Sequence, residues 1–177
     1  QTIDPSYLEI QLNSLTLLKP KILIVTLNSP GGTVTASYEV YEMLRKFKKQ
    51  NNIKLYFHTN ETLASGAYWV AQSGDKIYAS YGSIIGSIGV KGPDWIYFDK
   101  PIAISTGVFG NNIETKNGIS VYSQNAGESK DLLNPFRKPT NKELIKLKEI
   151  VNNIYDDFVT IVSKKRKIEI NTLKKEI

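Results

Sequence analysis

The chain contains no cysteine and only one histidine, His58, among its 177 residues. Without cysteine there is no disulfide framework, no thiolate nucleophile and no thiolate metal site within the chain. A single histidine also excludes a histidine-rich metal site. We therefore expect no metal and no cofactor, and the chemistry of the chain has to come from hydroxyl, amine, carboxylate and backbone groups.

Arginine and long apolar runs are scarce as well. Three arginines stand against 20 lysines, and the lysines are scattered rather than gathered beside aromatic side chains. Although the net charge is +6, this distribution predicts no nucleic-acid partner. No run approaches the roughly 20 apolar residues of a membrane-spanning helix, and no leader with a charged start followed by an apolar stretch is present.

The hydrophobic content of 41% is enough for one sizeable core, which predicts a single domain over residues 1–177. The chain begins with Gln1 rather than methionine and stops in a lysine-rich run. We therefore expect it to be a piece of a longer protein.

Strand-like and helix-like segments alternate along the first half of the chain. The β-prone run KILIVTLN is followed by the turn NSPGG and by a segment with apolar residues at helical spacing. The unit then recurs, with IKLYFHT as a strand, NETLASG as a turn, AYWVAQSG as a short helix and DKIYAS as a further strand. This alternation predicts an α/β fold with a mostly parallel sheet and right-handed βα crossovers. The apolar positions of the first predicted helix are Val40, Tyr41, Leu44 and Phe47.

A long amphipathic helix is predicted from the segment TNKEL onward. One apolar stripe runs along it, and the basic run KKRK lies at its far end, where cations complement the helix dipole. The stripe would be buried against the chain's own sheet or against a neighbouring subunit, and the chain's own sheet is the simpler arrangement. The stripe consists of Leu144, Leu147, Val151, Ile154, Phe158 and Ile161.

Ser65 stands between Ala64 and Gly66, where a strand-like run gives way to a helix-like one. Its hydroxyl would be exposed at the sheet edge, and the N–H groups that open the helix would point at whatever binds there. Glycine at 66 lets a substrate approach the backbone, and the segment SPGG supplies further N–H donors after the neighbouring strand. Spacing alone favours a second interpretation over this one, in which Ser65 is an ordinary helix N-cap.

A nucleophilic serine requires a base. His58 alternates with Leu55 and Phe57 in a strand pattern, which is typical of a core or edge histidine. Lysine is the known substitute in Ser-Lys variants of the catalytic triad, but an amine accepts a proton only when it is neutral. The base therefore has to be a buried lysine, and spacing does not single out one of the 20 lysines.

Several segments occur in an order that resembles the signal peptide peptidase A family, the S49 serine peptidases. They are VTLNSPGGTVTASYEVYEMLRK, LASGAYWVAQSGDKIYAS, IIGSIGV and GESKDLLNPFRKPTNKE, and the resemblance extends from about Ile10 to Val162. The resemblance implies a Clp-protease-like, crotonase-type α/β fold with a long C-terminal helix. It also implies hydrolysis of peptide bonds by a Ser-Lys dyad.

The resemblance assigns roles to side chains of this sequence. It implies that Ser65 is the nucleophile and that Lys130, in the segment ESKD, is the general base. It further implies that Ser87 hydrogen-bonds the lysine and orients it, although a turn serine that caps backbone groups is an equal interpretation. Arg137 would be structural and would tie the loop that carries Lys130.

The oxyanion hole that the resemblance implies consists of backbone N–H groups, from Gly31 or Gly32 and from Gly66. Members of the family are commonly membrane-associated, face the extracytoplasmic side and assemble into rings. The resemblance thus implies a peptide or protein substrate and a homo-oligomeric ring. It also implies that a membrane anchor, an N-terminal strand and a C-terminal strand lie outside this chain. Whether serine and lysine meet within one subunit or across two stays open.

Other classes of function share these features. A crotonase-fold acyl-transfer enzyme would use similar oxyanion N–H groups without needing Ser65 and Lys130, and a catalytically silent scaffold would keep the fold with an unreactive Ser65. If the chain is a peptidase, its substrates could be signal-peptide remnants or membrane-associated polypeptides. The flanking Ile84, Ile85 and Tyr68 predict an apolar cleft wall and hence small or apolar side chains at the cleavage site.

Overall fold

The computed structural model describes residues 5–98, 124, 126 and 129–176. Most helices and strands lie in the first of these ranges, and two further helices follow toward the C-terminal end. In chain order the elements are α1 (Pro5–Leu18), β1 (Ile22–Thr26), α2 (Val34–Asn51), β2 (Lys54–Thr59), β3 (Thr62–Ala64), α3 (Gly66–Ala71), β4 (Lys76–Ala79), β5 (Ile84–Gly86), α4 (Asn141–Arg166) and α5 (Ile170–Glu176).

The strands form two parallel sheets. In the larger sheet β2 lies between β1 and β4, with Phe57 of β2 opposite Ile77 of β4. In the smaller sheet β3 pairs with β5, with Ala64 opposite Gly86. The prediction of parallel pairing is therefore confirmed. The segment NETLASG, predicted as a turn, contains β3, because a strand of three residues is too short to show a period.

The core is built around β2 and α2. Leu55, Phe57 and Thr59 are fully buried and alternate with more exposed residues along β2, as expected for a strand with one face on the core. Each of the four apolar positions predicted for α2 is buried. The helix begins after the N-cap Thr33, whose hydroxyl accepts a backbone hydrogen bond, and its C-cap Asn52 has the left-handed conformation.

The helix α4 is the long helix that the periodicity predicts, but its apolar stripe is buried mainly toward its C-terminal end. Phe158 is 1% exposed, and its ring stacks on that of Trp69 with centroids 4.6 Å apart. Leu144 is 45% exposed, so the stripe is not buried along its whole length against this chain's own sheet. Periodicity identifies one face of a helix, whereas burial depends on what packs opposite each turn.

The chain divides into two compact units, residues 1–90 with 152–177 and residues 91–151. The first unit contains both sheets and Ser65, and the second contains Lys130 and the start of α4. The single domain over residues 1–177 stays a prediction. Among the described residues no helix is both long and apolar enough to cross a bilayer, and no group of three acidic or histidine side chains is arranged to hold a metal ion.

Candidate active site

Ser65 lies at the joint between β3 and α3 in a backbone conformation that favours glycine. Its φ is 51° and its ψ is −126°. A residue held in so sparsely populated a region costs about 1–3 kcal/mol. The Ser65 N–H donates to the Gly86 carbonyl at 2.8 Å, and the Ser65 carbonyl accepts the Trp69 N–H at 3.0 Å, so hydrogen bonds hold the joint on both sides.

The hydroxyl of Ser65 does not cap the helix that follows it. Ser65 occupies the N-cap position of α3, yet its side chain makes no capping hydrogen bond. An ordinary N-cap serine adopts an extended backbone and accepts a hydrogen bond from an N–H in the first turn. The interpretation of Ser65 as a capping side chain is therefore wrong.

The turn after β1 packs backbone to backbone against this joint. A Cβ atom on Gly31 would lie 2.9 Å from both the Gly66 nitrogen and the Ser65 Cβ, and the φ of Gly31 is 118°. A Cβ atom on Gly66 would collide with Ser37 Oγ and would lie 3.2 Å from the Gly32 nitrogen. The sequence-predicted Gly31, Gly32 and Gly66 are thus brought together beside Ser65, and neither Gly31 nor Gly66 leaves room for a side chain.

The N–H groups of these glycines are not equivalent. The Gly31 N–H donates to Ser29 Oγ at 3.1 Å. Gly66 is the first residue of α3, where an N–H has no acceptor within the helix. Because the Gly31 N–H is already engaged, the geometry leaves Gly32 rather than Gly31 as the candidate for the second of the predicted oxyanion donors, beside Gly66.

Two buried serines support this arrangement, and the sequence patterns did not single them out. Ser29 is 4% exposed, and its hydroxyl contacts the Gly31 backbone. Ser37 is fully buried in α2 and faces Gly66, while its hydroxyl donates to the Thr33 carbonyl at 2.8 Å. A small polar residue at a helix position that would otherwise be apolar was the one available signal for Ser37.

The strand β5 runs beside β3 and ends next to the Ser65 joint. Ile84 and Ile85 on this strand are 67% and 42% exposed, whereas Tyr68 in α3 is buried. Ser87 follows β5 with a φ of 52° and an exposed side chain. Two of the three predicted apolar wall residues are therefore at the surface of this unit, and the lysine-orienting role of Ser87 stays a prediction.

His58 is half-buried on β2, and its Nε2 lies 3.4 Å from Ser80 Oγ. The strand pattern predicted such a position for this histidine. Its recorded side-chain partner is a serine of the strand end after β4 rather than Ser65, so the structure offers no reason to assign it as the base.

Lys130 belongs to the second unit, where it lies on an exposed turn. Ser129 and Leu133 flank it with positive φ angles of 56° and 66°, and the Leu132 N–H donates to the Ser129 carbonyl at 3.1 Å. The Lys130 side chain is exposed on this turn, so the expectation of a buried base is not met by the described part of this single chain. The structure thus brings the predicted nucleophile and the glycines together in the first unit, whereas the predicted base is positioned by contacts of the second.

Arg137 holds two carboxylates beside the Lys130 turn. Its Nε and Nη2 donate to Asp131 Oδ2 and Oδ1 at 2.7 and 2.8 Å. Its Nη1 and Nη2 donate to Glu143 Oε2 and Oε1 at 2.9 and 2.7 Å. Hydrogen bonds from Arg137 hold the pKa values of Asp131 and Glu143 below their ordinary range. Since Asp131 directly follows Lys130, the expectation that Arg137 ties this loop is confirmed.

Comparisons with known proteins agree with these observations. A family model described as peptidase family S49 matches residues 47–176. The chain is 32% identical over 169 residues to a protein of Enterococcus faecium described as a putative signal peptide peptidase SppA, a match that covers 92% of this chain and 45% of that protein. It is 35% identical over 155 residues to a putative protease of Methanocaldococcus jannaschii, with 87% of this chain and 45% of that protein covered.

The fold has a counterpart among solved structures. A ClpP1 mutant from Listeria monocytogenes superposes with a TM-score of 0.51 at 10% identity, over 98% of this chain and 73% of that chain. This similarity confirms the predicted Clp-protease-like fold. The chain spans about half the length of the curated relatives that it matches.

Proposed function

The chain belongs to peptidase family S49, and from this premise we propose that it is a serine endopeptidase with a Ser-Lys dyad. The observation that carries the proposal is the geometry of Ser65: a strained backbone, a hydroxyl that does not cap its helix, and glycine amides packed against it. Strained conformations persist only where the surrounding structure maintains them, and they cluster at active sites.

In the proposed reaction the neutral amine of Lys130 accepts the Ser65 hydroxyl proton while the Ser65 oxygen attacks the carbonyl carbon of the peptide bond. The N–H groups of Gly66 and Gly32 donate to the oxyanion of the tetrahedral intermediate. As the carbon–nitrogen bond breaks, the Lys130 ammonium gives its proton to the leaving amine, and the acyl group stays on Ser65. Lys130 then accepts a proton from a water molecule as the water oxygen bonds to the acyl carbon. The ester bond to the Ser65 oxygen breaks and the Lys130 ammonium returns its proton to that oxygen, which releases the carboxylic acid and restores Ser65. Ser87 holds the Lys130 amine by a hydrogen bond.

The proposed substrates are signal-peptide remnants or membrane-associated polypeptides. The description of a relative as a putative signal peptide peptidase supports this choice. We further propose that the whole protein is membrane-anchored, faces the extracytoplasmic side and forms a homo-oligomeric ring. The reaction is the same whether Lys130 reaches Ser65 within one subunit or from a neighbouring one.

Labelling with a fluorophosphonate probe tests the proposed function. An activated Ser65 oxygen attacks the phosphorus and displaces fluoride, which leaves a stable adduct on the serine. We expect mass spectrometry to locate this adduct on Ser65 in the folded protein, with no labelling of Ser65 after heat denaturation. An unlabelled Ser65 in the folded, assembled protein would instead indicate a crotonase-fold acyl-transfer enzyme or a catalytically silent scaffold.

The exposed isoleucines of β5 predict the preference at the cleavage site. Ile84 and Ile85 lie on the strand that pairs with β3, directly before Ser65. An apolar surface beside the nucleophile is expected to select small or apolar side chains next to the scissile bond, because burying them there removes apolar area from water. Cleavage of a peptide library checks this preference, and selection of charged residues beside the cut would contradict it.

A further inference from the structure

Arg137 does more in this structure than close a surface loop. Its guanidinium presents five N–H groups, and its nitrogen atoms donate to the Asp131 carboxylate, to the Glu143 carboxylate and to the Lys138 carbonyl, the last at 3.2 Å. A bidentate pair on each carboxylate requires the planar fork of arginine, which lysine does not provide. Arg137 therefore suits this position through the planar geometry of its guanidinium as well as through its positive charge.

The clamp, meaning Arg137 together with the Asp131 and Glu143 carboxylates that it binds, is anchored to the start of α4. Glu143 lies in the first turn of that helix and is only 5% exposed. Besides Arg137, its Oε2 accepts the Thr140 N–H and the Thr140 hydroxyl, each at 2.9 Å. Because the buried carboxylate is fixed by the helix start, the guanidinium that it binds is fixed as well.

The clamp is also anchored from the side of residues 95–98. The Arg137 Cζ lies 5.1 Å from the centroid of the Trp95 ring, a cation–π distance. The Trp95 indole N–H donates to the Asn134 carbonyl at 3.2 Å, and the Phe98 N–H donates to the Pro135 carbonyl at 2.8 Å. The segment that joins Asp131 to Arg137 is thus held at several points.

We propose that Arg137 is a positioning residue for Lys130, which both fixes the turn that presents the lysine and keeps the Asp131 carboxylate from pairing with the lysine amine. This inference rests on the proposed function of Lys130 as the base. Asp131 is adjacent to Lys130 in the chain, so a free carboxylate there would lie within reach of the long lysine side chain. An opposite charge at close range favours the charged form of an amine, and a charged lysine does not accept the serine proton.

The charges around this turn are consistent with that role. Between residues 129 and 143 the acidic side chains are Asp131 and Glu143, and Arg137 binds both of them. The other charged groups that follow the turn, up to Lys142, are basic, namely Lys138 and Lys142. Glu128 also precedes the turn in the sequence, outside the described residues. Among the described residues of this turn, the acidic side chains that could pair with Lys130 are therefore already paired with Arg137.

The test measures how fast Ser65 reacts with the fluorophosphonate probe as a function of pH, in the full, folded chain. For Arg137→Gln we expect the maximal rate to fall by about tenfold to 100-fold, because the turn loses its position. We also expect the acid limb of the pH profile to move upward by about one pH unit, because the Asp131 carboxylate is released. In the double variant Arg137→Gln with Asp131→Asn the acid limb should return to its parental position while the maximal rate stays low.

Arg45 provides the matched control. It forms a bidentate pair with Glu42 on α2, at 3.0 and 2.8 Å, on the surface of the other unit. Arg45→Gln should leave the maximal rate and the acid limb unchanged. Asp131→Asn alone removes one half of the clamp without creating a free carboxylate. It should therefore lower the maximal rate without moving the acid limb. If Arg137→Gln does not fold, this variant serves as the test.

Defined outcomes overturn the inference. A folded Arg137→Gln variant that keeps the parental rate would overturn it. An Arg137→Gln variant with a reduced rate and an unmoved acid limb would also overturn it, because Arg137 would then have only a structural role. If Asp131→Asn serves as the test, a parental rate overturns the inference. Failure of the proposed function is distinguishable, because Lys130→Arg would then keep its reaction with the probe whatever the behaviour of the Arg137 variants.

Discussion

Ser65→Ala and Lys130→Arg will each reduce peptide hydrolysis by at least about 10⁴-fold. Alanine removes the nucleophilic oxygen, while the fold loses no capping bond because the Ser65 side chain makes none. Arginine keeps the positive charge and similar bulk at position 130, but it does not lose its proton in a protein and cannot act as a base. Lys130→Arg therefore distinguishes a lysine that acts as a base from one that contributes only its positive charge.

Steady-state hydrolysis of a peptide selected from the library, together with circular dichroism of each variant, checks this prediction. Both variants should be folded and inactive. Substantial activity of Lys130→Arg would mean that Lys130 is only an electrostatic or structural element, and the Ser-Lys assignment would have to be withdrawn. Substantial activity of Ser65→Ala would remove the nucleophile assignment as well.

Ser65→Gly is an informative companion to Ser65→Ala. Glycine relieves the strain of a φ of 51°, whereas alanine keeps it, because alanine retains the Cβ atom. We expect the glycine variant to be inactive and more stable than the alanine variant by about 1 kcal/mol in the free energy of unfolding. Chemical denaturation measures the difference, and equal stability of the two variants would show that this backbone conformation stores no strain.

Phe158→Asp will destabilise the fold by about 4 kcal/mol or more. The substitution removes a ring that is 1% exposed and stacked on Trp69. It also places a negative charge in the core without a cationic partner among the described residues. Leu144→Asp is the matched control on the same stripe of α4. Leu144 is 45% exposed in the first turn of the helix, where an acidic residue also complements the helix dipole.

Thermal and denaturant unfolding of the two variants checks this contrast. The Leu144→Asp variant should change the free energy of unfolding by no more than about 0.5 kcal/mol. Equal stability and equal size in solution for Phe158→Asp and the parent would mean that the packing of α4 on the core has been misassigned.

Long, local sequence patterns were sufficient to predict several helices and strands. The apolar spacing of Val40, Tyr41, Leu44 and Phe47 predicts a buried helix face, and all four residues are buried because a period of 3.6 residues is set by helix geometry. The alternation of Leu55 and Phe57 likewise predicts β2. Helices α1 and α5 did not follow from such patterns, although each adds one buried leucine, Leu12 and Leu173, to the core.

The family and the candidate residues were also within reach of the sequence, because several separate motifs in order are specific. What spacing could not decide was whether Ser65 caps its helix or is free for chemistry. That question depends on a φ angle and on the absence of a capping hydrogen bond, at a joint that is hydrogen-bonded to the Gly86 carbonyl and packed against Gly31. These residues are distant along the chain, so no local pattern around Ser65 contains the answer.

How the remaining parts of the candidate site are held depends on contacts between segments that are distant in the sequence. The engagement of the Gly31 N–H by Ser29 distinguishes Gly31 from Gly32, which the motif SPGG leaves equivalent. The clamp of Arg137 on Asp131 and Glu143 likewise depends on where α4 starts and on how the intervening segment turns. A sequence shows which polar groups are present, whereas their partners are set by packing, because a buried donor or acceptor bonds to whatever the fold brings within reach.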